Sequence, residues 1–180
     1  MFDAVSKKLE RADYFLNNIK ALAEASGGFA HVDDQHKLRA NLDAFFFELI
    51  SAKDFFLQEI NDKYVHLPKD EATQIDKLKR CLSCSGHTDT LMVVELIERE
   101  LSNKNSWLWR LNNYRNSATH RELLRFGHEA GLGNCIKTHL FKDPEDPKQG
   151  NADIEVIPYC EQSLEHVRIF LGDLYSKLHI

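Results

Sequence analysis

Residues 115–120 read Arg-Asn-Ser-Ala-Thr-His. An arginine guanidinium is always charged and forks onto two phosphate oxygens. A histidine titrates near neutrality and can move a proton in either direction. The pair suits cleavage of RNA, whose 2′-OH is an internal nucleophile beside the scissile phosphate. That reaction needs the hydroxyl deprotonated, the 5′-oxygen protonated as it leaves, and the charge of the phosphorane held. Arg115 suits the last task and His120 the proton transfers. Asn116 stands four residues before His120, on the same side of a helix, and can orient the imidazole or the phosphate. No step requires a metal or another cofactor. On a continuous helix Arg115 and His120 lie about 140° apart round the axis. Bringing both to one phosphate needs long side chains, a break in the helix, or a second copy of the chain. Thr119-His120-Arg121-Glu122 has the capping-box pattern, which predicts a helix restarting at Thr119.

The surrounding segment, residues 104–125, is basic and aromatic. Lys104, Arg110, Arg115, Arg121 and Arg125 stand against Glu122 alone, a net +4 that leaves −9 on the rest of a chain whose formal charge is −5. Both tryptophans and Tyr114 fall in the same stretch. Cations interleaved with aromatic rings suit phosphates and unpaired bases, so Arg110, Tyr114, Arg121 and Arg125 are candidate RNA contacts. The alternative is a helix whose aromatics fill the core while its arginines meet acids elsewhere.

Arg115-Asn116-x-x-x-His120 resembles the signature of the HEPN superfamily, small helical-bundle proteins that include many ribonucleases. The loose form of that signature, Arg then four to six residues then His, also fits Arg80 to His87 and Arg121 to His128. The tight form occurs once, where chance at this composition gives about 0.03 matches. The resemblance implies a metal-independent endoribonuclease that leaves a 2′,3′-cyclic phosphate and a 5′-OH. It also implies a homodimer whose two motifs line one composite cleft. Because many members are toxins or defence nucleases, it further implies an antitoxin-like partner. Other members serve as non-catalytic binding or dimerisation modules, which is the alternative function.

The elements that must position these residues are mostly helical. Phe2, Val5, Leu9, Ala12, Leu16, Ile19 and Ala23 make a 3-4-3-4 stripe, ended by Ser26-Gly27-Gly28. Asp33 or Asp34 can cap a second helix running to about Tyr64, with Leu38, Leu42, Phe45, Leu49, Ala52, Phe56 and Ile60 inside. Phe46, Phe47 and Phe55 lie off that stripe, so this helix is either central or faces a partner chain. A shorter helix follows Pro68, with Ala72, Ile75, Leu78 and Leu82, and Ser85-Gly86-His87 breaks it. A fourth opens at Asp89 or Thr90, with Leu91, Val94, Ile97 and Leu101 inside. Ser106 can cap a fifth starting at Trp107. Ile136 to Phe141 and Ile154 to Tyr159 read as a β-hairpin round a turn-rich linker, residues 143–151. Pro158 must then sit where no ladder donor is needed. Leu164, Val167, Leu171, Leu174 and Leu178 form the last stripe. The expected fold is a mainly all-α antiparallel bundle of five or six helices. It forms one domain over residues 1–180, with a hairpin insertion at about 134–160 that marks a divergent HEPN-like branch.

Composition narrows the remaining classes. With 43 % apolar and 28 % charged residues the chain is neither disordered nor uniformly basic. The longest apolar run, Ala44 to Ile50, contains Glu48 and falls short of the roughly 18 residues a membrane span needs. Met1-Phe2-Asp3-Ala4 lacks a signal-peptide layout, so a cytoplasmic location with reduced cysteines is expected. Cys81-x-x-Cys84 with His87 has zinc-like spacing, but a structural site wants a fourth ligand, and Cys135 or Cys160 is far away in sequence. His31 to His36 is ligand-rich, though capping explains its aspartates equally well. No phosphate-binding glycine loop, dinucleotide fingerprint or nucleophile elbow occurs.

Overall fold

A computed structural model describes residues 3–25, 32–120, 126–129, 138–142 and 151–178, with side chains for 3–25, 36–116 and 154–178. Among these residues the chain forms six α-helices, one π-helical turn and a small antiparallel sheet. The mainly helical bundle expected from the sequence is what forms.

Helix α1 (Asp3–Ala25) buries Val5, Leu9, Ala12, Leu16 and Ile19, the middle of its predicted stripe. Helix α2 (Val32–Ile60) is the longest element, and all seven of its predicted stripe residues are 0 % exposed. It begins one residue before Asp33, so both aspartates stand inside its first turn rather than at its cap. A second row on α2, Phe46, Ile50 and Leu57, is also buried. The two rows explain the excess of apolar residues: α1 lies on one side of α2, and α5 and α6 on another. The outer phenylalanines, Phe47 and Phe55, stay partly exposed, and Lys8 Nζ of α1 lies over both rings at 5.4 and 5.5 Å. Lys8 also pairs with Glu48 at 2.8 Å.

The chain leaves α2 through the π-helical turn Asn61–Val65 and turns at His66, whose φ of 65° is left-handed. Buried Asn61 holds this exit. Its amide donates to the Leu67 carbonyl at 3.1 Å and its Oδ1 accepts from the Leu67 N–H at 2.8 Å. Helix α3 (Ile75–Ser85) starts later than Ala72, which is buried in the preceding turn. It ends at Gly86, whose φ of 75° explains the glycine. Helix α4 (Thr88–Ser102) buries Thr90, Val93, Val94 and Ile97, while Leu91 and Leu101 pack half-buried at its sides.

Helix α5 (Trp107–His120) is followed by β1 (Phe126–Glu129), β2 (Thr138–Lys142), β3 (Asn151–Glu155) and α6 (Val156–Leu178). The sheet order is β1-β2-β3, with Phe126 opposite Phe141 and Leu140 opposite Glu155. Two expectations are corrected here. The hairpin has a third strand around Gly127, and its last arm is residues 151–155 rather than Ile154 to Tyr159. Ile157, Pro158 and Tyr159 belong to the first turn of α6, where the missing proline N–H has no helical acceptor to lose. Ile136, Cys135 and the exit at 26–28 lie outside the described residues. All five predicted stripe residues of α6 are buried, and one continuous core joins the six helices.

Phe46 tests the second row of α2. Replacing it with alanine is expected to lower stability by about 3–5 kcal/mol, because the ring leaves a cavity between three helices. Urea unfolding should show a lower midpoint at an unchanged slope.

Candidate functional site

The site is built on α5, which is fixed at its start and in its middle. Ser106 is the N-cap expected from the sequence: its Oγ accepts from the Leu108 N–H at 3.1 Å and donates to Glu100 Oε2 at 2.7 Å. Trp107 meets His166 and Phe170 of α6, each at a centroid distance of 5.5 Å. One helical stretch later, Tyr114 stacks on Phe46 of α2 at 5.3 Å with the rings 12° from parallel. Tyr114 also meets Tyr159 of α6 edge-on at 5.3 Å. Trp107 opposite residues 166–170 and Tyr114 opposite 159 set α5 antiparallel to α6. Phe46 beside Tyr159 and Phe56 beside Tyr175 set α6 parallel to α2.

These contacts settle where the expected residues stand. Tyr114 is 1 % exposed, so its expected role as an RNA contact is corrected: its ring is a core anchor. Arg110 is half-buried and close enough to Tyr159 to favour that phenol's charged form. Burial outweighs this and pushes the Tyr159 phenol upward. Arg115 and Asn116 are both half-buried, and Arg115 Nη1 donates to Asn116 Oδ1 at 3.1 Å. His120 is the last residue of α5, and its side chain is outside the described set, as are Arg121 and Arg125. The helix runs without interruption through Thr119 to His120, so the expected restart at Thr119 does not occur within the described residues. Along this unbroken helix the Arg115 and His120 positions differ by about 140°, whereas Asn116 and His120 share a side.

Two features escaped the sequence reading. Trp109, Asn113, Asn116 and His120 fall at i, i+4, i+7 and i+11, one stripe opposite the buried Leu108, Leu111 and Tyr114. Only the fold shows that this stripe faces away from the core. The second is Asp43, on the same side of α2 as Phe46. Its Oδ1 is enclosed and accepts no hydrogen bond among the described residues. Burial raises its carboxyl to about 6, opposed by the nearby Arg39 charge. Nothing in an isolated Asp within a helical stripe signals such enclosure.

The zinc-like residues do not assemble. Cys81 is half-buried, Cys84 is exposed, and the His87 ring lies against Tyr64 at 5.1 Å. Cys160 is in the core, where burial pushes its thiol up. Among the described residues no three His, Cys, Asp or Glu side chains converge as metal ligands. His36 is exposed on α2, while His31 lies outside the described residues. Nor is any described helix long and apolar enough to cross a membrane.

No model of a known protein family matches the chain. No curated protein and no solved structure matches it either.

Asp43 offers a direct check of the electrostatics. Its folded carboxyl binds a proton more tightly than an unfolded one, so folding is favoured at low pH and loses that contribution as pH rises from about 3.8 to about 6. Asp43→Asn, neutral throughout, should raise the melting temperature at pH 8 by a degree or more. The gain should vanish towards pH 4 in paired thermal melts.

Proposed function

We propose that this chain is a HEPN-like, metal-independent endoribonuclease that cleaves RNA by attack of the 2′-OH. The observation that carries the reading is the single tight Arg-Asn-x-x-x-His motif at the end of a basic, aromatic helix whose start and middle are pinned to the bundle. Arg115 binds the scissile phosphate and stabilises the charge that builds on its oxygens. His120 exchanges the protons. Asn116, one turn before His120 and hydrogen-bonded to Arg115, links the two and orients them.

The unbroken helix shapes this proposal. One chain supplies one motif imidazole, yet cleavage needs one group to accept a proton and another to donate one. Two copies related by a two-fold axis supply two imidazoles and two guanidinia, and an Arg115 from one copy can face a His120 from the other. The functional unit is thus a homodimer with a composite cleft, inside the cell. An antitoxin-like protein that covers the cleft is the fitting partner.

The same 140° separation favours a second reading, a non-catalytic RNA-binding or dimerisation module. Such a protein binds RNA with strong salt dependence and leaves it intact.

Incubating the purified protein with RNA in EDTA separates the two. Cleavage should yield 2′,3′-cyclic phosphate and 5′-OH ends. His120→Ala should slow it by about 10²- to 10⁴-fold, and Arg115→Ala by about 10²- to 10³-fold. Intact RNA, or equal cleavage by wild type and His120→Ala, would falsify the catalytic reading.

A further inference from the structure

A cavity of about 460 Å³ opens at the start of α4, and Tyr64, His87, Thr88, Asp89, Thr90 and Lys177 supply the polar part of its lining. It lies at the end of the bundle away from the α5 motif: Lys177 is about 27 Å along α6 from Tyr159, the residue that meets Tyr114. Helix α4 starts without a side-chain cap, because His87 makes no capping hydrogen bond. The Thr88 N–H turns back onto the Gly86 carbonyl at 2.9 Å, and the Leu91 N–H reaches the His87 carbonyl at 2.9 Å. Between them, the N–H groups of Asp89 and Thr90 find no acceptor among the described residues. Such orphan donors carry the positive end of the helix dipole.

Water satisfies many helix starts, so the side chain of Thr90 is the telling observation. Thr90 is only 4 % exposed. Its hydroxyl, like its N–H, makes no hydrogen bond among the described residues, yet it is not one of the fully enclosed side-chain oxygens. The hydroxyl therefore opens to the cavity that Thr90 lines. A valine would pack as well at such a position without an idle hydroxyl. Lys177, in the last turn of α6, makes no ion pair among the described residues, whereas Lys20, Lys53, Lys77 and Lys79 are all paired. Two backbone donors, a hydroxyl and an ammonium thus border one space, with Asp89 as the single acid of the described lining. A cation would find too few oxygen ligands there. A phosphate group, whose oxygens each accept several hydrogen bonds, matches the donors.

We propose that this cavity binds the phosphate group of a small phosphate ester, held by the Asp89 and Thr90 N–H groups, the Thr90 hydroxyl and Lys177. A phosphate alone fills a small part of the volume. The Tyr64 and His87 rings, 5.1 Å apart, remain for the organic remainder. The site is independent of the ribonuclease reading and stands whether or not the chain cleaves RNA.

The test is amide NMR of the isotope-labelled full chain, titrated with inorganic phosphate and with glycerol phosphate, at constant ionic strength against chloride. Both phosphates should shift the Asp89 and Thr90 amides to saturation, glycerol phosphate at lower concentration, while chloride leaves them in place. Thr90→Val should weaken binding about five-fold, the loss of one hydrogen bond, and should melt no lower than the parent because the hydroxyl bonds nothing in the protein. Lys177→Met should weaken binding about three-fold or more, and Asp89→Asn should tighten it, since the one repelling charge is gone. Shifts that do not saturate, or that chloride reproduces, overturn the site, as does weaker binding by Asp89→Asn. Equal affinity for the two phosphates overturns the ester and assigns the cavity to the inorganic anion. If Thr90→Val fails to fold, the exposed positions Lys177 and Asp89 decide.

Discussion

Phe46 stacks near-parallel and offset on Tyr114, and Tyr159 closes on both rings. Three helices far apart in the chain meet at this cluster, and their relative registers follow from it. Enclosed aromatic pairs tolerate sliding poorly, because any shift opens a void that nothing fills. α5 therefore cannot rotate without dragging Tyr114 out of the core. Once Tyr114 points inward, helix geometry decides the rest: Arg115 falls between Leu108 and Leu111 on the buried arc, where its Nε is enclosed, and Asn116 falls on the outer side. The core contact is thus also the constraint that aims the candidate chemistry. An aromatic that looked like an RNA contact turns out to be what orients the residues beside it.

The same constraint depends on α2 being apolar on two sides. A single stripe would need only α1 as a cover. The second row, Phe46, Ile50 and Leu57, demands another layer, which α5 and α6 supply. Where α2 turns a third side outward, at Phe47 and Phe55, the solution is different. Lys8 lays its ammonium over both rings and pairs with Glu48, which is itself nearly buried. The long α2 has one apolar excess met by helix packing and another met by a cation.

Much of this was legible from periodicity. The stripes of α1, α2 and α6 name core residues correctly because a 3.6-residue period leaves few ways to hide them, and Ser106 caps α5 because a hydroxyl before Trp107 has an orphan N–H to satisfy. Three things were not legible. Ile154 to Tyr159 read as an extended arm although Pro158 lies in it, since a proline is tolerated alike at a strand edge and in the first turn of a helix. The strand Phe126–Glu129 did not show in the sequence, because a short strand is fixed by its partners rather than by its own four residues. Tyr114 and Trp109 look interchangeable in a basic aromatic run, yet Tyr114 is enclosed in the core and Trp109 is half-buried on the other side of the helix. Five positions of helix separate them by a rotation that composition cannot show, and only the ring across the interface selects which one is buried.

Charge separation then acts on what the packing has aimed. Away from residues 104–125 several cations are paired: Lys20 with Glu161, Lys77 with Glu71, Lys79 with Glu98 and Arg168 with Asp13. The remaining residues sum to −9, so a polyanion meets net repulsion from them within a Debye length of about 8 Å at physiological ionic strength. Residues 104–125 are the exception. A uniformly basic protein would hold RNA tightly in many orientations, few of them productive. On the proposed reading, an acidic protein with one basic segment binds RNA less tightly overall but favours approach to that segment. If the chain binds RNA as proposed, the net charge of −5 is no obstacle: repulsion from the acidic remainder and attraction to residues 104–125, which Tyr114 helps hold in place, act together to orient the strand.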